Sequence, residues 1–367
     1  MSILSKTLLA LLIVLVLAVA SLGLALSHNS ACGASSSVAI AQPVRAAVNR
    51  CYGSADVVRI ENIAKPIPGP HDLLVRVHAS SVNPLDWHYL RGEPYLMRAS
   101  SGWGAPNDIL LGTDFAGTVE AVGKLVTRFK PGDEVYGAGD GAFGEYLRIP
   151  EIGAVVQKPA GVTFEQAASV PVAGLTALQG LRDKGLLRPG QRVLINGAGG
   201  GVGTFAVQIA KALGGDVTAV TNTGSVDLVR SIGANHVIDY TRQDFTQGDI
   251  RYDLIFDLSG TQPLSAYRRV LTPTGTYVMG GNTDKGKWIG PLVGLGKTLI
   301  VSKFVNQKLV PFIASLSASD LSTLADLMQS GKLKPVIDRR YALGQVADAI
   351  RYQETGHARG KVVVTIE

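Results

Sequence analysis

The chain has 367 residues, of which 46% are hydrophobic and 17% charged, with 43 glycines. This composition excludes disordered and fibrous proteins, and the length predicts two domains with a short extension. The net charge of +6 comes from Lys and Arg residues that are scattered without interleaved aromatics, so we predict a solvated basic surface and no nucleic-acid partner.

An apolar segment lies near the N-terminus. Residues Thr7 to Leu26 contain no charged side chain, and about 20 such residues are enough to cross a bilayer as a helix. We predict that residues 1–27 form an uncleaved hydrophobic helix that anchors the protein in the membrane; cleavage before His28, followed by export, is the alternative. Lys6 is the one charge before the segment, so the side of the membrane stays open.

The next segment carries the cysteines. Residues 28–44 are rich in Ser and Ala, and we predict a linker that packs little. Cys32 and Cys51 are the only cysteines of the chain. They are too few for a disulfide framework or a cysteine-based zinc lobe, and they do not indicate the redox compartment.

Two different strand patterns follow. Residues 45–171 contain short apolar or alternating segments between Gly and Pro turns, which predicts a β-barrel-like domain. In residues 172–316, apolar strands alternate with helix-length segments, which indicates a doubly wound parallel sheet. Residues 317–367 are β-rich again around a short amphipathic helix at Val346 to Tyr352. We therefore expect the C-terminal tail to complete the first domain.

The strongest motif lies at the start of the parallel sheet. An apolar strand, Val193 to Ile195, ends in a glycine cluster that is followed by a helix with a buried apolar stripe. Glycines let the backbone approach a pyrophosphate closely, and the helix N-terminus stabilises its negative charge. This order predicts a dinucleotide site, with the fingerprint positions at Ala198, Gly200 and Gly203.

The end of the second strand indicates which dinucleotide binds. An acidic residue at this point usually binds the ribose hydroxyls of NAD, but the sequence runs from Thr221 to Ser225 without a carboxylate. The hydroxyls of Thr221 and Ser225 can donate to a 2′-phosphate instead. We therefore expect NADPH rather than NADH.

Several separated segments, taken in order, resemble one known family. These segments are SSVNPLDWHYLRGEPY, LGTDFAGTVEAVGKLVTRFKPGDEVYG, GAFGEYLRIP, VPVAGLTAL, the glycine segment, SIGANHVIDY and HARGKVVVTI. The similarity covers about residues 45–367 and identifies the chain as a member of the medium-chain dehydrogenase/reductase superfamily, in its quinone oxidoreductase or zeta-crystallin branch. It implies an α/β protein with a GroES-like β-barrel catalytic domain (residues 45–171 and 317–367) and an inserted NADP-binding Rossmann domain (residues 172–316).

The resemblance also concerns metal binding. Zinc-containing members of the superfamily have a Cys at the position of Asn83, a His–Glu pair at the positions of Thr113 and Asp114, and four clustered cysteines for a structural zinc. None of these is present and the six histidines are dispersed, so we predict no metal site. Without a Lewis acid to deprotonate an alcohol, reduction of an acceptor that is already electrophilic is expected.

The same resemblance identifies two candidate catalytic residues. Asn83 matches an asparagine near the nicotinamide, and His88 stands where relatives have Tyr or Lys. Histidine titrates near neutrality, so His88 can donate a proton or a hydrogen bond to a developing oxyanion. A packed or solvent-facing histidine is the alternative.

The cofactor site implied by the resemblance extends along the strand ends. Thr176 matches a position beside the nicotinamide and Tyr240 one near the adenosine phosphate. The ends of parallel strands face the cofactor crevice in such sheets. The predicted cofactor-binding residues are Thr176, Ala198, Gly200, Gly201, Val202, Gly203, Thr221, Ser225, Tyr240, Leu258, Gly280, Gly281 and Lys361.

These observations predict NADPH-dependent reduction of a quinone or α,β-unsaturated carbonyl by hydride transfer without zinc. Two alternatives stay open: an NADP-dependent carbonyl or alcohol dehydrogenase, and a membrane-tethered NADPH-binding sensor or scaffold with little turnover. The expected partners are a small electrophilic acceptor and, through the N-terminal segment, the membrane. Family resemblance also suggests a homodimer.

Overall fold

The computed structural model describes residues 3–33, 40–281, 286–288 and 290–366. Its strands are β1 (Pro43–Val48), β2 (Arg59–Ala64), β3 (Asp72–Val82), β4 (Asp114–Val122), β5 (Glu134–Ala138), β6 (Tyr146–Pro150), β7 (Val155–Gln157), β8 (Arg192–Asn196), β9 (Asp216–Thr221), β10 (His236–Asp239), β11 (Tyr252–Asp257), β12 (Leu271–Met279), β13 (Lys308–Pro311), β14 (Ile337–Ala342) and β15 (Lys361–Thr365). Its helices are α1 (Ile3–Ser27), α2 (Pro84–Arg91), α3 (Arg98–Ser101), α4 (Phe164–Ala168), α5 (Pro171–Gln179), α6 (Gly201–Ala212), α7 (Val226–Ser231), α8 (Leu264–Arg269), α9 (Gly290–Ser302), α10 (Ala318–Gln329) and α11 (Val346–Glu354).

The parallel sheet has the strand order β10-β9-β8-β11-β12-β13, and neighbouring strands in it run parallel. Strands β8, β9 and β11 are buried at almost every position, as expected for strands covered by helices on both faces. The strand order reverses between β8 and β11, which creates a crevice at the carboxyl ends of these strands. The predicted Rossmann sheet is confirmed.

The second sheet combines strands from both ends of the chain. Its order is β14-β15-β3-β4-β5-β7, and β6 also pairs with β3. Strand β15 runs antiparallel to β3, with Val362 opposite Val82. The tail therefore returns to the GroES-like domain beside the segment that leads into α2. The exact domain limits stay predictions.

The two sheets share a continuous core. One buried cluster includes Ala138 and Val363 from the second sheet together with Val193 and Phe256 from the parallel sheet. Within the catalytic domain, the Tyr136 hydroxyl also donates to the backbone carbonyl of Leu321 in the first turn of α10, at 2.7 Å. This packing fixes the distance between the domains and so the width of the cleft between them.

Helix α1 forms where the apolar segment predicts a helix. Many of its described side chains are exposed, with Leu15 at 60% and Leu24 at 73% exposure. Within the described residues, however, no helix combines the length and the apolar character that are needed to cross a membrane. The membrane anchor therefore stays a prediction without support from the structure.

The segment after α1 is attached to the catalytic domain at two points. The backbone N–H of Ser30 donates to the carbonyl of Gly104 at 2.8 Å, although residues 28–33 are all exposed, and the linker over residues 28–44, of which 34–39 lie outside the described residues, stays a prediction. Cys32 and Cys51 form a disulfide, with their Cα atoms 4.7 Å apart. Two cysteines cannot build a framework of several bridges, but the fold brings this pair within the distance that a single bridge needs.

Candidate active site

A cleft of about 570 Å³ lies between the two domains. The glycine turn after β8 and the ends of β9, β11 and β12 form one side, and the start of α2 with the C-terminal tail forms the other. Carboxyl ends of parallel strands are the usual ligand-binding edge of such a sheet. The predicted site residues that line the cleft are Asn83, His88, Gly200, Gly201, Val202, Gly203, Thr221, Ser225, Tyr240, Leu258, Gly280, Gly281 and Lys361.

Two predicted cofactor residues are not brought to the cleft surface. Ala198 is fully buried in the glycine turn, where its N–H donates to the carbonyl of Val220 at 3.0 Å. Thr176 lies in α5, and its hydroxyl donates to the carbonyl of Val172 at 2.7 Å. Ala198 therefore packs on the side of the glycine turn that faces away from the cleft. The Thr176 hydroxyl forms its hydrogen bond within its own helix.

Close backbone packing shapes the glycine turn. Gly197 has φ +86°, a left-handed conformation that favours glycine. A Cβ on Gly203 would lie 2.2 Å from the Gly197 carbonyl oxygen, so α6 packs directly on the turn. A Cβ on Gly200 would meet only that oxygen, at 3.5 Å, so Gly200 is open toward the cleft. The N-terminus of α6 has no side-chain cap, and such an end binds phosphate groups well.

The loop after β9 lines one end of the cleft. Thr221 and Ser225 are only 3% and 1% exposed. A Cβ on Gly199 would lie 2.7 Å from the Thr221 hydroxyl oxygen and from Ser225, so the missing side chain lets both residues approach the turn. Tyr240 stands at the rim and is 54% exposed. This arrangement holds two hydroxyl groups next to the dinucleotide fingerprint.

A carboxylate does lie near this loop, on the neighbouring strand. Strand β10 ends in Asp239, which accepts hydrogen bonds from the hydroxyls of Thr223 at 2.5 Å and Thr241 at 2.7 Å. These bonds, first that of Thr223, hold the pKa of Asp239 below its usual range. Asp239 is not among the residues that line the cleft, and Arg242 lies 3.5 Å from it. Its charge is therefore balanced locally.

Arg359 is a candidate cofactor residue that the sequence analysis missed. Its guanidinium donates to the carbonyl of Gly224 at 3.3 Å, which places it on the loop between Thr221 and Ser225. The loop between Thr221 and Ser225 contains no Lys or Arg of its own, and Arg359 of the catalytic domain places a positive charge beside it. The only sequence signal was the position of Arg359 two residues before Lys361, and this does not show that the tail crosses to the Rossmann domain.

Asn83 lies in a buried polar network. Its Nδ2 donates to Asp114 Oδ2 at 2.8 Å, and its Oδ1 accepts from Lys361 Nζ at 2.6 Å. Asn83 and Lys361 are only 2% and 3% exposed. Both ends of the Asn83 amide are engaged, so this side chain supports the wall of the cleft and is not a free donor to a reacting group.

The same network contains two groups with shifted pKa values. Burial lowers the pKa of Lys361, while the carboxylates of Asp114 and Asp86 act in the opposite direction. Burial raises the pKa of Asp86 to about 7, although the backbone N–H of Asn83 donates to this carboxylate at 2.7 Å. Asp114 also accepts from the backbone N–H of Val172, at 2.9 Å. The network therefore links β4, β15 and the first turn of α5.

His88 lines the cleft from α2 and is held as a neutral imidazole. Its Nδ1 lies 2.7 Å from the carbonyl oxygen of Glu93, so Nδ1 carries the proton that this bond requires. Burial lowers the pKa of His88 below the usual range of histidine, although this hydrogen bond opposes the shift. Nε2 is then unprotonated near neutral pH. His88 stacks on Trp87, with ring centroids 3.7 Å apart.

Comparison with known proteins decides the family. Residues 69–160 match the model of the alcohol dehydrogenase GroES-like domain, and residues 232–364 match that of a zinc-binding dehydrogenase. A 2-methylene-furan-3-one reductase of Solanum lycopersicum is 32% identical over 92% of this chain and 83% of its own length. The chain belongs to the medium-chain dehydrogenase/reductase superfamily, in its quinone oxidoreductase branch. It is an oxidoreductase with a nicotinamide cofactor.

Other members of the superfamily extend this result. A chloroplastic protein of Arabidopsis thaliana named NADPH-dependent alkenal/one oxidoreductase is 32% identical over 92% of this chain and 83% of its own length. The structure of a quinone oxidoreductase from Coxiella burnetii has a TM-score of 0.78 and 27% identity, and it covers 89% of this chain and 100% of its own. The similarity therefore includes both domains.

The positions that match zinc ligands in other superfamily members are part of the buried network here. Asn83 and Asp114 are hydrogen-bonded to each other, and Thr113 is 9% exposed beside them. Among the described residues, no group of three or more His, Cys, Asp or Glu side chains is placed to hold a metal ion. In this oxidoreductase these positions form hydrogen bonds within the protein.

Proposed function

We propose that this oxidoreductase transfers a hydride from NADPH to a quinone or α,β-unsaturated carbonyl, and that it does so without zinc. One observation carries the proposal: the glycine turn and the open N-terminus of α6 lie in the same cleft as His88 and Trp87. The dinucleotide end and the acceptor end are thus within one cavity. The names of the related reductases support an electrophilic acceptor.

The residues at the dinucleotide end fit NADPH. Gly200 leaves room for a pyrophosphate at the N-terminus of α6. Thr221 and Ser225 line the cleft where a 2′-phosphate would lie, and Arg359, which is not itself a lining residue, bonds the same loop at Gly224; charged hydrogen bonds favour this group. When bound, NADPH supplies a hydride from C4 of its nicotinamide.

The acceptor end must provide a proton. Hydride addition to the β-carbon of an enone leaves an enolate, and a quinone that takes up a hydride leaves a hydroquinone anion; each then takes one proton. Neutral His88 accepts a hydrogen bond at Nε2, so it can hold the water molecule that delivers this proton. In acid the imidazolium form donates to the oxyanion directly.

We expect the pH profile to depend on His88. As pH falls through the lowered pKa of His88, its imidazolium form appears and the rate of enone reduction should rise by about tenfold. His88→Gln keeps polarity but cannot titrate, so its rate should stay flat over the same interval. Steady-state rates between pH 8 and pH 5 test this. Identical profiles of the two proteins would show that another group supplies the proton.

We expect Arg359→Gln to change the cofactor preference. Loss of the guanidinium should raise the Kd for NADPH about tenfold, which corresponds to ~1.4 kcal/mol, because one charged hydrogen bond to the 2′-phosphate is lost. NADH lacks this phosphate, so its Kd should stay within about twofold. Arg251→Gln is the matched control, because Arg251 is also an exposed arginine that donates to a backbone carbonyl, at Gly248. An equal loss for both cofactors would argue against the assignment.

The proposed reaction is tested with an acceptor panel. A quinone, an enone and an alcohol are each assayed with the phosphorylated and the unphosphorylated cofactor, in a buffer that contains a strong zinc chelator. The proposal expects NADPH oxidation with the quinone or the enone. Activity on the alcohol alone, or loss of activity with the chelator, would refute it.

A further inference from the structure

A short segment of the N-terminal region is docked on the catalytic domain through one buried arginine. Arg98 is only 1% exposed. Its Nη1 donates to the carbonyls of Leu26 and His28, both at 3.0 Å. It also donates to Asn29 Oδ1 at 2.8 Å. We call residues 26–32 the docked segment.

The other edge of the same guanidinium reaches the end of α2. Its Nε donates to the carbonyl of Gly92 at 2.8 Å, and its Nη2 donates to that of Arg91 at 2.9 Å. Gly92 ends helix α2, and the carbonyl of the next residue, Glu93, accepts the hydrogen bond from Nδ1 of His88. Arg98 therefore joins the docked segment to the backbone that orients His88.

A disulfide holds the docked segment beside this arginine. Cys32 is bonded to Cys51, and the next residue, Tyr52, has its ring 4.3 Å from the guanidinium carbon of Arg98. The Tyr52 hydroxyl donates to the carbonyl of Gly102 at 2.9 Å. The docked segment is thus fastened both by a covalent bond and by the arginine.

We propose that Arg98 is a positioning residue for the acceptor end of the cleft, and that it acts only while the Cys32–Cys51 disulfide holds the docked segment in place. If the segment left, Nη1 of Arg98 would lose the three acceptors given above. Arg98 and the C-terminal end of α2, to which it is hydrogen-bonded, would then rearrange. The Glu93 carbonyl would no longer hold the His88 ring in its orientation. The glycine turn is not part of this arrangement.

This inference rests on the proposed function for one of its two readouts. Opening the disulfide, by Cys32→Ser or by treating the wild type with a dithiol reductant, should lower kcat/KM for the acceptor by about tenfold. The Kd for NADPH should stay within about twofold. Cys32 and Cys51 are the only cysteines of the chain, so a dithiol reduces no other bridge, and Cys32→Ser should be insensitive to it.

The second readout needs no turnover. The pKa of His88, measured by NMR, should rise toward its ordinary value when the disulfide is open, because relief of burial, the larger effect, outweighs loss of the Glu93 hydrogen bond, which acts in the opposite direction. Arg98→Gln should give the same rise in the pKa of His88. Arg98→Lys keeps the charge but not the several N–H donors of the planar guanidinium, so the pKa of His88 should return only part of the way to its wild-type value. An unchanged His88 titration in Cys32→Ser would overturn the inference. Absence of acceptor turnover in wild type, with the NMR shift present, would refute the proposed function and leave the inference standing.

Discussion

Lys361→Met is expected to lower the free energy of unfolding by about 3–5 kcal/mol, because it leaves the buried carboxylate of Asp114 without its cation. Methionine keeps most of the apolar stem, whose Cδ would lie 3.2 Å from a Cβ added at Gly201. The loss should therefore come from the charge and its hydrogen bonds. Urea unfolding at pH 7.5, followed by circular dichroism, measures it.

Two controls identify the cause. Lys332→Met changes an exposed lysine and should alter the free energy of unfolding by no more than about 0.5 kcal/mol. Adding Asp114→Asn to Lys361→Met removes the stranded charge and should recover about half of the loss. A Lys361→Met protein as stable as the wild type would show that the pair does not stabilise the cleft.

Gly200→Val is expected to weaken NADPH binding about 100-fold, which corresponds to ~2.7 kcal/mol. The backbone of Gly200 is extended and a Cβ there is 3.5 Å from its nearest neighbour, so the fold should accept a side chain. The added methyl groups would instead occupy the space that a pyrophosphate needs at the N-terminus of α6. Titration of the purified protein with NADPH, followed by fluorescence, measures the change.

The matched control is Gly344→Val, at an exposed glycine whose Cβ would meet no atom within 4 Å. It should leave the Kd for NADPH within about twofold of the wild-type value. If Gly200→Val bound NADPH as tightly as this control, the dinucleotide would have to bind somewhere other than the glycine turn.

The fold and the dinucleotide end of the site are predictable because their signals are local. The strand before Gly197, the glycine turn and the stripe of α6 lie within one continuous segment, and each follows from backbone geometry and periodicity. The absence of an acidic residue between Thr221 and Ser225 is local as well. The domain that the tail completes is also visible, since strand patterns return near the C-terminus.

The rest of the site depends on contacts between residues that are far apart in sequence. Asn83 and Lys361 are separated by 278 residues, and no pattern shows that one bonds the other. Arg359 reaches a loop 135 residues away, and Arg98 one about 70 residues away. The proton on Nδ1 of His88 is set by the turn that places the Glu93 carbonyl. Tertiary packing alone determines these contacts.

Two predictions stay open for a different reason. The homodimer and the membrane attachment concern surfaces that meet other molecules, and the fold of one chain does not specify them. Sedimentation of the full chain, with and without lipid vesicles, addresses both.

The central claim is that this cleft moves a hydride from NADPH to an electrophilic carbon. Its most direct test supplies NADPH with deuterium at both C4 positions and an α,β-unsaturated ketone, with a zinc chelator present, and analyses the product by mass spectrometry. The account predicts one deuterium, retained at the β-carbon of the saturated ketone. A product without deuterium, or the absence of any product with both NADPH and NADH, would contradict it.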